Sequence, residues 1–244
     1  MKSKAIIKFH LNETSTSMIM FYTIFFAIEA IMIITSISLK SPENLTFNGG
    51  EISSWIYIFV IGLMMFKKPM NFFTAHGVSR KTAVKSLFMT AGLFSLGMAV
   101  IDVLNFAIIG ATGIFKGEFN SLYGTRFGKE LSMKYIPEFL TNQFISLLFY
   151  VMLAYLIGVV LYRLPMKVKI GLIIGVFAVM FLAPFGLVRL PHGILNIVEK
   201  AAKTFYKHVL INPVGNSIFK AGGIVAFGAV SYLTAVRASF SEKT

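Results

Sequence analysis

The sequence predicts an all-α membrane protein with six transmembrane helices, an N-terminal interfacial helix and an outer amphipathic helix before the last span. Three observations carry that prediction. Hydrophobic residues make up 56% of the 244 residues and charged residues only 14%, against roughly 25% charge in an average soluble protein. Mean hydropathy is +0.77, so part of this chain's solvent must be lipid. Long apolar runs recur along the chain, and a helix needs about 20 such residues to cross the hydrocarbon core.

In order, the spans are expected at about Ser17–Ser38, Trp55–Phe66, Leu87–Phe115, Phe139–Tyr162, Ile170–Val188 and Ile218–Val236. The second is short. It must borrow Ile52–Ser54, thin the bilayer, or sit behind other helices. Before the first span, residues 1–16 mix Lys2, Lys4 and Lys8 with Ile6, Ile7, Phe9 and Leu11. They read as an amphipathic helix at the inner interface or as a basic tail, with the helix favoured. The stretch lacks an A-x-A-like cleavage site and is not read as a signal peptide. Residues 189–212 place Ile194, Ile197, Val198, Ala201 and Phe205 at helical spacing, with lysines between, and read as an outer helical excursion. Residues 1–244 are taken as one membrane domain.

The formal net charge is +13. In a multi-pass protein that charge belongs on cytoplasmic loops. With both termini inside, 13 of the 23 Lys and Arg fall in inner segments, and the other ten, Lys220 among them, fall in longer outer loops. The expected location is the cell membrane, multi-pass, with both termini cytoplasmic.

Small residues at helical spacing mark faces that let helices approach closely in lipid. They are Ala91, Ser95 and Ala99 in the third span, Ser146, Ala154 and Gly158 in the fourth, Gly171, Gly175 and Ala178 in the fifth, and Gly222, Ala226 and Ala229 in the sixth.

Several chemistries are excluded. There is no cysteine, hence no disulfide and no thiolate chemistry. No G-x-x-x-x-G-K-[ST] occurs, so the chain does not hydrolyse ATP through a P-loop. His10, His76, His192 and His208 are scattered, and no metal site is expected. No catalytic residues and no cofactor are assigned to this chain.

Two acids lie within spans, Glu29 and Asp102, both near mid-membrane by count and without a basic partner in any span. An acid there usually faces protein or water. Asp102 shares a face with Ser95 and Ala99, and Asn105 follows within a turn. Glu29, Asp102 and Asn105 are candidates for a polar substrate path; hydrogen bonding of each acid to a neighbouring helix is the structural alternative.

The loop at 67–85, between the second and third spans, is basic and aromatic, and is expected to be helical on both sides of Gly77. Its Gly77-Val78-Ser79-Arg80-Lys81-Thr82 segment has the look of a DNA-binding turn. The flanking spans leave no room for such a domain's core, and no nucleic acid is expected. The loop is either a solvated basic segment near anionic headgroups or a docking element, with Phe72 and Phe73 filling a partner's pocket and basic residues pairing with its acids.

With the stretch Phe73–Lys81, FTAHGVSRK, the chain resembles small permease subunits of the ABC-2-type family, also called type V ABC exporters. Many Gram-positive members carry a similar G-x-S-R-K stretch after the second span. The resemblance implies that this loop holds the cytoplasmic coupling helix, with Phe72, Phe73, His76, Gly77, Ser79, Arg80 and Lys81 docking on a separate ATP-binding subunit. It implies two permeases and two ATPase subunits per transporter, with ATP and Mg on the ATPase. The second permease is a copy of this chain or a paralogue. The implied cargo is amphipathic: a peptide, an antimicrobial or a lipid-like compound, as in exporters of phenol-soluble modulins. Rival readings are the substrate-binding membrane subunit of an energy-coupling-factor-type importer, an intramembrane enzyme, and a non-transporting sensory or structural membrane protein.

Overall fold

The computed structural model describes residues 2–38, 50–65, 73, 76–112, 136–171 and 213–236, and every regular element among them is helical. Five principal helices result: α1 (Lys2–Ser38), α2 (Gly50–Met64), α3 (Arg80–Thr112), α4 (Ile136–Arg163) and α5 (Pro213–Val236). Four are long and apolar enough to cross a membrane, and α2 is a shorter apolar helix. The expected fifth span (beyond residue 171), the outer excursion at 189–212 and Phe72 lie outside the described residues.

Helix α1 departs from expectation. No break separates an interfacial helix from the first span; α1 runs unbroken for 37 residues. At 1.5 Å per residue it is about 55 Å long, against a hydrocarbon core of about 30 Å. The physical reason is local: residues 2–38 contain neither Gly nor Pro, so nothing interrupts the hydrogen-bond ladder. The amphipathic residues are the first turns of the spanning rod.

Helix α2 starts at Gly50 and so takes in Ile52–Ser54. At 15 residues it is about 22 Å long, less than the core thickness. One face of it packs against α4 and α3, while Ile52, Ile56, Val60 and Met64 leave the other face exposed. The approach to α4 is close because both helices present glycine. A Cβ on Gly62 would lie 2.8 Å from the Ala154 Cβ and 2.9 Å from the Val151 carbonyl, and one on Gly158 would lie 3.1 Å from the Leu63 carbonyl. Ala154 and Gly158 of α4 therefore serve packing against α2. In α5 the predicted stripe faces outward at Gly222 and Ala226, and it is Gly223 that takes the Phe149 ring of α4.

Helix α4 is the hub, packed by α2, α3 and α5; α1 leans chiefly on α3. The core is apolar along most of its length, including Ile58, Leu87, Met98, Leu147 and Val159. Large apolar side chains such as Ile19, Ile24, Ile31 and Val225 project outward, as a lipid-facing surface requires.

Helix α3 begins at Arg80, so Arg80–Lys85, expected in the loop, form its first turns. Ser79 caps it: the Ser79 Oγ accepts the Thr82 N–H at 3.3 Å and pairs with the Thr82 hydroxyl at 2.8 Å. Just before it, Gly77 adopts φ 69° and the Val78 N–H donates to the Phe73 carbonyl at 2.9 Å. This is the left-handed glycine and long backbone bond of a Schellman-type helix end. The turn at Gly77 thus runs directly into the capped start of α3 and makes a corner at Gly77–Ser79.

Candidate functional site: a polar network and an exposed corner

The chain's one aspartate, Asp102, organises one end of the bundle. Its Oδ1 accepts the Tyr22 hydroxyl of α1 at 2.8 Å and the Ser54 hydroxyl of α2 at 2.9 Å. Its Oδ2 accepts the Gln143 Nε2 of α4 at 2.7 Å. Gln143 is fully buried and its Oε1 accepts the Trp55 Nε1 of α2 at 3.3 Å. Four helices therefore converge on one carboxylate, each supplying a group whose burial without a partner would be costly.

The network continues into α5. Lys220 is 7% exposed; its Nζ donates to the Ser146 Oγ at 2.7 Å and lies 5.7 Å from the centre of the Trp55 ring, within cation–π range. Ser146 in turn donates to the Asn142 carbonyl at 2.7 Å, and Ser217 donates to the Asn142 Oδ1 at 2.8 Å. Residues 142, 143 and 146 share the i, i+3, i+4 face of α4 and turn it polar over one turn. Alongside, the Asn105 Nδ2 donates to Glu29 Oε1 at 3.1 Å, pinning α1 to α3.

One expectation is corrected here. Lys220, counted with the outer loops, lies inside the spanning part of α5 (Gly215–Val236) and is buried, so a basic residue does stand among the span acids. Ser217 and Lys220 find polar partners on α4, Asn142 and Ser146, instead of water. Gln143, Ser54 and Lys220 stand four to seven residues from the first residues of their own helices, so the network lies toward one end of the bundle.

Asp102 and Asn105, one turn apart on α3, each bond a residue of α1, Tyr22 and Glu29 respectively. Tyr22, Ser54, Trp55, Gln143 and Lys220 were missed as members. Only the face shared by Asn142, Gln143 and Ser146, three polar residues in an apolar span, was a signal for them.

At the opposite end, the corner distributes the expected docking residues differently. Phe73 is 4% exposed, its ring edge-on to His10 at 5.1 Å and to Phe9 at 5.8 Å. It fills the chain's own core, because the first turns of α1 reach over it, and is not presented to a partner. His76, Gly77, Ser79 and Lys81 are exposed and Arg80 is half-buried. No group of metal-ligating side chains occurs among the described residues.

No protein-family model, curated protein or solved structure matches the chain.

Proposed function

We propose that the chain is the membrane-embedded permease subunit of an ATP-driven exporter of the ABC-2 type, moving an amphipathic substrate while a separate subunit hydrolyses ATP. The observation that carries this reading is the corner at Gly77–Ser79. It is built by a left-handed glycine and a serine cap, and it displays His76, Ser79 and Lys81 between α2 and α3. The Val78–Phe73 backbone bond and the Ser79 cap hold this corner in shape, and a fixed, charged projection suits docking onto another protein. On this reading ATP-driven closure of the partner displaces the corner, and the helices behind it shift as rigid bodies. The polar region around Asp102 and Lys220 lies on the substrate's route at the far end of the bundle.

The test is purification from native membranes in mild detergent, with mass spectrometry and an MgATPase assay on the eluate. A co-purifying P-loop ATPase, lost in the H76A/K81A double variant, is the expected result. An eluate without an ATPase overturns the reading.

One observation favours a second reading. Both oxygens of Asp102 are occupied by donors of this same chain, the arrangement of a brace and not of an open path. On that reading the chain is a non-transporting membrane protein, and the eluate contains no ATPase.

A further inference from the structure

A cleft between α4 and α5 belongs neither to the polar network nor to the corner. It is lined by Arg163, Val230, Leu233 and Thr234 and lies at the end of the bundle remote from Asp102. Arg163 is the last residue of α4 and is exposed. Its Nη2 donates to the Thr234 carbonyl at 2.6 Å, which fixes the guanidinium at the cleft mouth. A guanidinium has five N–H donors, so this bond leaves donors for a ligand. The Thr234 hydroxyl is turned away, donating to the Val230 carbonyl. Val230 and Leu233 are both about half exposed and make the wall apolar.

The depth of these groups is informative. The 28 residues of α4 extend about 42 Å, some 12 Å more than the hydrocarbon core. That excess puts Arg163 at headgroup level. Leu233 and Val230 stand about one and two turns inward from Val236, at acyl-chain level. Lys167 and Lys169 follow Arg163 closely, and neither residues 139–171 nor α5 contains an acid. A soluble anion would gain from the charge and nothing from the apolar wall.

We propose that this cleft binds an anionic phospholipid, its phosphate on the Arg163 guanidinium and an acyl chain along Val230 and Leu233. A planar guanidinium engages a phosphate through paired N–H bonds, and basic pockets between spanning helices are suited to anionic headgroups. The two lysines extend the preference to net-negative lipid by repelling the ammonium of a zwitterionic headgroup. The proposal rests only on the chain's membrane-spanning character, not on export.

The absence of native cysteine makes the test clean. A fluorophore on L233C, in the full chain reconstituted in vesicles, is quenched by spin-labelled phosphatidylglycerol or phosphatidylcholine present at matched fractions. Phosphatidylglycerol is expected to quench at several-fold lower mole fraction. R163Q should reduce that preference about five-fold, the effect of removing one basic contact at a membrane surface. K167Q/K169Q should reduce it less, and R163K should retain part of it. The same label on V225C, at a site 72% exposed on α5, should show no preference. Equal quenching by the two lipids at L233C overturns the proposal, as does a preference equally strong at V225C. If R163Q fails to fold, K167Q/K169Q and R163K decide on the same ratio: a ratio unchanged in both overturns the proposal.

Discussion

The two ends of this bundle are held together by different physics. Around Asp102, hydrogen bonds join helices across wide sequence separations: Tyr22, Ser54 and Gln143 lie 80, 48 and 41 residues from the acid they serve. Around Gly77, the order is largely local. A capped turn, a backbone bond five residues long and a phenylalanine seated against His10 and Phe9 make the corner. In a membrane the hydrophobic effect does not draw helices together, and association relies on packing and on hydrogen bonds. The polar end therefore depends on a few atoms and is vulnerable to one substitution. The corner is distributed over backbone groups and aromatic rings and degrades piecemeal.

The comparison breaks most readily at Asp102. Asp102→Ala strands donors from three helices at once and should cost about 4 kcal/mol, at one to three per unsatisfied group with partial relaxation. Thermal unfolding in detergent, followed by the fluorescence of the chain's one tryptophan, Trp55, measures it. Wild-type stability in that variant would mean the network braces nothing. Phe73→Ala removes a buried ring from the other end and should cost about 3 kcal/mol. Its signature differs, because Trp55 emission should change little below the unfolding transition. Gly62→Ala lies between the two ends and should cost about 2 kcal/mol, since the new methyl meets the Val151 carbonyl and the Ala154 Cβ. A cross-link between cysteines placed in α2 and α4 should form more slowly there. The smallest effect on stability belongs to the H76A/K81A pair, within about 0.5 kcal/mol in all because both side chains are exposed. Thermal unfolding checks that, and a change as large as that of Phe73→Ala would show the corner to be structural throughout.

Much of this architecture was legible because hydropathy reports on lipid directly. The runs beginning at Ser17, Phe139 and Ile218 fall within long helices, as does the run from Leu87 as far as Thr112, and the short apolar core at Trp55 proved to be a short helix that takes in Ile52–Ser54. Helix ends were harder to read. A helix beyond Gly77 was expected and Ser79 caps it, but its first turn takes up Arg80 and Lys81, whose charge had put them in the loop at 67–85, since a first turn at the surface tolerates charge as a loop does. Lys220 was misplaced for the opposite reason: its charge reads as loop until the Ser146 hydroxyl and the Trp55 ring are seen to receive it. The acids themselves were visible, because an acid in an apolar run stands out. Their donors were not, because Tyr22 and Ser54 are unremarkable in sequence and become partners only when α1 and α2 are set beside α3. Phe73 shows the same limit from the apolar side. An aromatic in a basic loop suits a partner's pocket, and only the reach of α1 explains why it is used at home.

That reach has a mechanical consequence. Subtracting a hydrocarbon core of about 30 Å from the roughly 55 Å of α1 leaves some 25 Å of stiff rod to be accommodated by tilt or by protrusion. Glu29 pins the distant part of that rod through Asn105, and His10 rides near its free end against Phe73. A pivot of about 10° near the membrane surface would sweep the end of a 25 Å arm through about 4 Å. A displacement of that size at His10 would be carried to Phe73, against whose ring it packs.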